Sequence, residues 1–152
     1  MEKMLVGERV LITLWVGGMW AIGYMAVPTL FYMLDDRQLA GMLAGQMFKT
    51  IYFVGFACAL LLLVSLSYQQ GVAALKQWRA WILAFTLILI TVSLFVIQPT
   101  MQDLKAQGLL EGSEQAKQFG KMHGIASAIY LLTSLCGLVL VAAGLRPKTQ
   151  SL

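Results

Sequence analysis

Four long apolar stretches separated by polar segments dominate the hydrophobic pattern of this chain. They run approximately over residues 10–34, 49–68, 78–99 and 122–145. Each is close to the ~20 residues that an α-helix needs to cross the hydrocarbon core of a bilayer. Apolar side chains occupy all sides of these stretches, whereas a surface helix of a soluble protein shows one apolar stripe. The pattern predicts an all-α integral membrane protein, a single domain over residues 1–152, in which four transmembrane helices form a bundle as two hairpins.

Composition strengthens this prediction and excludes several other classes of protein. Hydrophobic residues make up 59% of the chain and charged residues only 12%, which is far from the balance of a soluble domain. The net charge of +4 is spread over the ends of the apolar stretches, so we expect the lipid bilayer, and no nucleic acid, as a partner. Cys58 and Cys136 lie inside apolar stretches and are predicted to be buried thiols. No CxxC, HExxH or glycine-rich phosphate-binding motif occurs.

The basic residues predict which ends of the helices face the cytoplasm. One side of the membrane would hold both termini and the 69–79 link, and the other side would hold the two longer links. Lys and Arg are slightly more numerous on the first side: Lys3, Arg9, Lys76, Arg79, Arg146 and Lys148 against Arg37, Lys49, Lys105, Lys117 and Lys121. Because basic residues favour the cytoplasmic side, we expect both termini in the cytoplasm. The first stretch is too long for the apolar region of a signal peptide and is predicted to be retained.

A shift of the sequence against itself by 71 residues indicates an internal repeat. Pro28 then falls on Pro99, and Tyr52 falls on His123. The matches are few, and apolar sequences also match by chance, so a duplicated hairpin and a fortuitous similarity stay open as alternatives. In a duplicated chain, the two hairpins have the same topology and are related by an axis along the membrane normal.

The only histidine of the chain, His123, lies near the start of the fourth apolar stretch. Polar or small residues follow it at helical spacing and form a stripe: Ser127, Tyr130, Ser134 and Gly137. Polar side chains in hydrocarbon need partners, so this face is predicted to look into the bundle. We predict a polar niche or ligand site at the outer end of the bundle, formed by His123, Ser127, Tyr130, Tyr52, Gln98 and Pro28. The alternative is that the stripe only makes hydrogen bonds between helices.

Small residues recur where membrane helices are expected to approach closely. Gly41-x-x-x-Gly45 has the small-x-x-x-small spacing that lets two membrane helices pack together. Gly17 shares a helix face with Ala21 in the first stretch. We therefore predict helix packing at Gly17, Gly41, Gly45 and Gly124.

A metal or haem site is a further alternative, with His123, Met122, Met101 and Met47 as candidate ligands. Soft thioethers together with an imidazole suit Cu(I), and histidine and methionine are also axial ligands of haem. Methionine equally often fills irregular apolar space, and no M-x-M pair is present. Haem and copper therefore stay open as cofactors beside simple packing.

Three segments together resemble a known family: LWVGGMWAIGYMAVPTLF (14–31), AGMLAGQMFKTIY (40–52) and MHGIAS (122–127). They are similar in order and spacing to bacterial members of the transmembrane-protein-205-like family, a domain of unknown function. The resemblance implies a four-span protein of the bacterial inner (plasma) membrane. Its shared positions match Gly17, Gly18, Gly23, Pro28, Phe31, Gly41, Gly45, Phe48, His123, Gly124 and Ser127. The chain also has a fainter similarity to small membrane proteins of copper resistance and haem biosynthesis. It has one histidine where those proteins have several near helix ends, so a bis-histidine haem site within one subunit is excluded.

These features lead to three hypotheses on function. The first, which we prefer, is a non-enzymatic membrane protein that binds or passes a small solute or metal ion from its outer side. Four spans leave little room for a path in one subunit, so transport would favour a homo-oligomer. The second is a structural or accessory subunit of a larger membrane complex, and the third is a haem- or copper-binding redox protein. An enzyme is not expected, because no carboxylate lies within an apolar stretch to act as a general base beside His123.

Overall fold

The structure is a computed structural model, and it describes residues 2–109 and 112–143. The described residues form helices joined by short links and contain no strand. In chain order the α-helices are α1 (Glu2–Ala21), α2 (Val27–Met33), α3 (Arg37–Gln70), α4 (Trp78–Val92), α5 (Gln98–Ala106) and α6 (Glu114–Ala143). Two π-helical turns, Ile22–Ala26 and Ser93–Ile97, join α1 to α2 and α4 to α5, and a 3₁₀ turn, Gly71–Lys76, follows α3.

Four helical segments are long and apolar enough to cross a membrane, and we call them spans one to four: Val6–Met33, Arg37–Ala74, Trp78–Ala106 and Glu114–Ala143. They confirm the predicted all-α fold with four transmembrane helices. Spans two and four begin at Arg37 and Glu114, well before the apolar stretches predicted from residues 49 and 122, because the segments ahead of those stretches continue the same helix. All four exceed the ~20 residues that cross the hydrocarbon core, so their ends extend beyond it.

The spans run alternately up and down and contact one another in a ring. Span one packs against spans two and four, and span three packs against the same two neighbours. The links after spans one and three therefore lie at one end of the bundle, which we call the proline end because Pro28 and Pro99 lie toward it. The opposite end holds the start of α1, the turn after α3 and the end of α6. Arg146 and Lys148, used above to predict orientation, lie outside the described residues.

Local capping sets the ends of the helices. At the start of α3, the Asp36 carboxylate accepts hydrogen bonds from the amides of Gln38 and Leu39 at 2.8 and 3.1 Å, as an N-cap residue does. The helix ends at Gly71, whose φ of 52° lies in the left-handed region that favours glycine. Ahead of α6, the Ser113 hydroxyl oxygen accepts from the following turn. The helices therefore end where the sequence offers a cap rather than where the apolar stretches end.

The two π-helical turns have the same construction. In each, the amide that follows the turn bonds to the carbonyl of the turn's first residue, five positions earlier. The next residue is a proline, Pro28 after the first turn and Pro99 after the second. A proline inside an α-helix lacks the N–H and clashes with the carbonyl four residues earlier. The wider π turn relieves that clash and lets both spans continue.

The second π turn lies 71 residues after the first, which is the offset found in the sequence. The residue after each proline repeats the same bond as well. The Thr29 hydroxyl donates to the Met25 carbonyl at 2.8 Å, and the Thr100 hydroxyl donates to the Val96 carbonyl at 2.7 Å. A duplicated hairpin would produce this coincidence, and so would two unrelated Pro-Thr pairs, because the proline sets the turn in both spans.

An apolar layer crosses the interior of the bundle on the side away from the proline end. Contacts at Gly55 and Gly137, to the side chains of Trp15, Ile90 and Val16, fix the register of the four spans. Over the next one to two helical turns toward the opposite end, each span contributes one large apolar side chain to the interior. These side chains are at most 5% exposed and belong to one cluster: Ile12, Leu62, Leu83 and Leu140.

Candidate functional site

Hydroxyl-bearing side chains from all four spans meet in the half of the bundle nearer the proline end. We call them the hydroxyl cluster: Tyr24, Tyr52, Ser93, Tyr130 and Ser134. The hydroxyl oxygens of Tyr24 and Ser134 lie 2.8 Å apart and share a hydrogen bond. The Tyr130 hydroxyl donates to the Met19 carbonyl at 2.5 Å, and the Tyr52 side chain lies beside Ser93. These contacts join span one to span four and span two to span three.

Tyr130 lies at the centre of the cluster and is only 7% exposed. Its ring meets those of Phe48, Tyr52 and Tyr24 edge-on, with centroids 5.0, 6.0 and 6.1 Å away, an arrangement that aromatic pairs favour. The ring reaches span one because Gly23 has no side chain, and a Cβ there would lie 2.3 Å from Tyr130 Cε1. Gly23 belongs to the first π turn, so the turn and its glycine together accommodate Tyr130.

Polar atoms deep in the interior lack a protein hydrogen-bond partner in the part of the chain that the structure describes. They are Trp15 Nε1, Ser93 Oγ and Thr133 Oγ1, and their side chains are at most 2% exposed. Ser93 lies beside Tyr52 without completing a hydrogen bond of normal geometry. A buried polar group without a partner costs about 1–3 kcal/mol. The cluster and its surroundings therefore hold unused hydrogen-bonding capacity.

The residues predicted for the polar niche have different environments. Tyr52 and Tyr130 are buried and in contact with each other. Gln98, at the start of α5, is 9% exposed and lies closer to the proline end. The remaining three side chains are exposed: Pro28, His123 and Ser127. The structure thus brings two of the six residues together and leaves His123 on the outer surface.

The polar stripe of span four passes from the outer surface into the interior along the helix. The Ser127 hydroxyl donates to the His123 carbonyl at 2.8 Å, so it needs no partner on another helix. The His123 ring stacks on Phe119 of its own helix, with centroids 6.0 Å apart. Tyr130 and Ser134, further along, are buried. Local contacts therefore satisfy the outer part of the stripe, and only its inner part joins the cluster.

The glycines predicted for helix packing differ in what they face. An added Cβ at Gly17 or Gly124 would have no atom within 4 Å, so both face open space. A Cβ at Gly41 or Gly45 would lie 3.8 Å from the Lys105 amine of span three. Large side chains pack most closely against other glycines: Gly18, Gly23, Gly55 and Gly137. Glycine spacing in the sequence indicates where space exists but does not identify the side chain that fills it.

The candidate metal ligands also lie in unlike environments. Met101 is buried, Met47 and Met122 are half-buried, and His123 is exposed. Among the described residues, no group of three or more His, Cys, Asp or Glu side chains could hold a metal ion. Copper and haem ligation by these residues stay predictions without a geometry that favours them.

Sequence reasoning missed a buried carboxylate near the start of span one. Glu8 is 6% exposed, and it accepts hydrogen bonds from the Ser65 hydroxyl at 2.9 Å and the Gln69 amide at 3.1 Å. It lies at the end of the bundle opposite the proline end, beyond the apolar layer. Its spacing from Ile12 and Trp15, which share the buried face of α1, was the available signal.

Comparison with known protein families assigns this chain to a family but does not give it an activity. Residues 10–109, more than half of the chain, match the model of a family described as a domain of unknown function (DUF4149). No curated protein and no solved structure matches. The matched region contains span one from residue 10 onward, spans two and three, both π turns, and Tyr24, Tyr52 and Ser93 of the hydroxyl cluster.

Proposed function

The chain belongs to the family of the domain of unknown function DUF4149, and from this premise we propose that it binds a small neutral molecule in the membrane. The proposed site is the hydroxyl cluster. The observation that carries this proposal is the convergence of hydroxyl groups from all four spans around Tyr130. The cluster contains no charged side chain, so a neutral ligand with hydrogen-bonding atoms suits it better than an ion does.

The unused polar atoms indicate the chemistry of the ligand. Ser93 and Thr133 each present a hydroxyl, and Trp15 presents an indole N–H, without a partner in the described residues. Hydroxyl groups donate and accept, whereas an indole N–H only donates. No bulk water reaches the hydrocarbon core to satisfy these groups. A ligand with carbonyl or hydroxyl oxygens on an otherwise apolar body would complete these bonds and match the aromatic rings around them.

A route into the site is available from the lipid. A groove of about 240 Å³ between spans one and four is lined by Thr13, Val16, Gly17, Trp20, Leu138 and Val141. Trp20 contacts Tyr24, with ring centroids 4.9 Å apart, and Tyr24 bonds to Ser134 of the cluster. A membrane-soluble molecule in this groove would therefore be separated from Tyr24 of the cluster by the Trp20 side chain. We propose lateral access from the bilayer for this reason.

The interior favours binding over passage through one subunit. The apolar layer of Ile12, Leu62, Leu83 and Leu140 lies between the hydroxyl cluster and Glu8. Three of these side chains have no exposed surface and Ile12 has 5%. A polar solute crossing the bundle would lose its hydrogen bonds at this level, at a cost of several kcal/mol.

A substitution at Ser93 tests the proposal, because its hydroxyl has no protein bond of normal geometry to lose. The full chain in lipid nanodiscs is titrated with a short-chain quinone, a neutral probe with two carbonyl acceptors, and tryptophan fluorescence is followed. We expect saturable quenching, and an affinity about fivefold lower in Ser93→Ala, since one neutral hydrogen bond is worth about 1 kcal/mol. Ser127→Ala is the matched control, because that hydroxyl is exposed and bonded within its own helix.

Two results would contradict this site. The first is quenching that rises linearly with probe concentration, which indicates partition into the lipid. The second is an affinity that changes equally in Ser93→Ala and Ser127→Ala. Thermal unfolding of both variants, measured without the probe, should stay close to the wild-type temperature, because Ser127 bonds within its own helix and Ser93 has only its contact with Tyr52 to lose.

A second candidate function, assembly as a homo-oligomer or as a subunit of a membrane complex, is favoured by one observation on span four. Gly120 and Gly124 have the small-x-x-x-small spacing, and an added Cβ at either would meet no atom within 4 Å. Such a pair lets a helix of another chain approach closely. Light scattering of the detergent-purified protein is expected to show a higher mass for the wild type than for Gly124→Leu. A monomeric wild type would exclude self-association.

We also propose that the protein resides in the bacterial inner membrane with both termini in the cytoplasm. The slight excess of Lys and Arg on the terminal side supports this orientation. The similarity of the three motifs to the transmembrane-protein-205-like family supports the bacterial location and stays a prediction. Labelling of single cysteines introduced at Lys76 and Asp35 by an impermeant reagent in intact cells tests the orientation. Only the second should react.

A further inference from the structure

Lys105, near the end of α5, is held against two other spans at the proline end. Its amine donates to the Gly41 carbonyl of span two at 2.9 Å. The same amine lies 5.4 Å from the centroid of the Phe119 ring of span four, in a cation–π arrangement. The side chain is half-buried. Lys105 therefore has a fixed position rather than the mobility of a surface lysine.

This ammonium group has no carboxylate partner among the residues that the structure describes. The nearby ion pair joins Lys117 to Glu114 at 2.8 Å, and the Asp36 carboxylate caps α3 through two backbone amides. A lysine amine has three N–H donors, and one of them is used by Gly41. A partly desolvated charge is stabilised by an opposite charge. Within the residues that the structure describes, this leaves two donors and one uncompensated positive charge for an external anion.

We propose that this cation binds the phosphate group of a phospholipid headgroup, and that His123, across the Phe119 ring, contacts another part of the same headgroup. The Phe119 ring lies between the two residues. The Lys105 amine lies over this ring, and the exposed His123 ring stacks on it. The site lies where α5 ends and the apolar part of span four begins, which is the depth of headgroups. Below it, span four exposes large apolar side chains that acyl chains can cover: Ile125, Leu131 and Leu132.

The Gly41 and Gly45 pair has a role in this site. A Cβ at either position would lie 3.8 Å from the Lys105 amine, which is ordinary contact distance. Alanine is therefore tolerated, whereas a larger side chain would occupy the place of the amine. The two glycines thus leave space for the Lys105 side chain. Their spacing in the sequence had indicated close packing of a second helix instead.

Native mass spectrometry of the full chain in detergent tests the site, with phosphatidylglycerol as the probe. Lys105→Gln should lower the affinity for this lipid about tenfold, because a charged hydrogen bond is lost. Lys117→Gln, at an exposed lysine with its own carboxylate partner, should leave the affinity unchanged. His123→Gln should have a smaller effect, about threefold, since it removes one secondary contact. Diacylglycerol, with the same chains and no phosphate, should bind weakly to the wild type.

Three outcomes overturn the proposal. Equal affinities for Lys105→Gln and wild type would leave Lys105 a purely structural contact between spans. Equal binding of diacylglycerol would assign the affinity to the acyl chains. Displacement of the lipid by inorganic phosphate at equal concentration would assign the site to a free anion. If Lys105→Gln does not fold, Gly41→Leu replaces it, with Gly41→Ala as the control, and the lipid affinity should fall only in Gly41→Leu.

Discussion

The two π-helical turns share one backbone design but differ in what they support. Each turn precedes a Pro-Thr pair, and in each the amide after the turn donates to the carbonyl five residues earlier. The first leads into α2, none of whose residues is buried. The second leads into α5, which buries Gln98, Met101 and Leu104. The proline thus determines the local backbone, whereas the neighbouring spans determine whether the helix beyond it forms part of the core.

Corresponding positions in the two turns, 71 residues apart, carry different side chains. Gly23, which accommodates the Tyr130 ring, corresponds to the buried Leu94. Tyr24, which bonds to Ser134, corresponds to the exposed Phe95. The first turn therefore receives side chains from span four, whereas the second fills its surroundings with its own. The candidate ligand site therefore takes different contributions from the two turns: Gly23 and Tyr24 from the first and Ser93 from the second.

Insertion of one alanine after each turn should give the largest difference. An inserted residue rotates the helix beyond it by about 100°. Between Ile97 and Gln98 it would turn the buried face of α5 outward, and we expect the free energy of unfolding to fall by about 3 kcal/mol or more. Between Ala26 and Val27 we expect less than about 1 kcal/mol, since α2 has no buried residue to lose. Unfolding in mixed detergent micelles, followed by tryptophan fluorescence, measures both.

Equal losses for the two insertions would contradict the contrast in burial between α2 and α5. A larger loss at the first turn would show that α2 has contacts within the membrane that exceed those of α5. Circular dichroism of both variants serves as the control, because the total helix content should stay unchanged.

Substitution of Gly23 should have the next largest effect. A Cβ at this position would lie 2.3 Å from the Tyr130 ring, and overpacking of this kind costs about 1–3 kcal/mol. Gly23→Ala should therefore lower the unfolding temperature and shift the Tyr130 ring away from Tyr24. Gly17→Ala, six residues earlier and facing open space, should stay within about 0.5 kcal/mol of the wild type. Similar unfolding temperatures for the two variants would mean that Tyr130 does not occupy the first turn.

The length and apolarity of the four stretches were sufficient to predict the fold, because a bilayer leaves few alternatives to a helix bundle. The Pro-Thr pairs also revealed the internal offset. The site was harder to predict, because the face of one helix does not specify the register of its neighbours. Helical spacing predicted Tyr130 and the internal offset pointed to Tyr52, but Ser93 was not predicted, because its place beside Tyr52 depends on the register of span two. Lys105 was counted only as a charge, although it fills the space beside Gly41.

The smallest predicted effect tests whether the two turns are equivalent where they look most alike. Thr29→Val and Thr100→Val each remove a hydroxyl that donates to a carbonyl four residues earlier. Both side chains are exposed, and each bond lies within one helix, whereas even bonds between membrane helices average only about 0.6 kcal/mol. We expect losses of less than about 0.5 kcal/mol for each variant, and the sum of the two for the double variant, because the sites share no contact. A loss confined to Thr100→Val would mean that the packing of α5, and not the proline, makes the hydroxyl necessary.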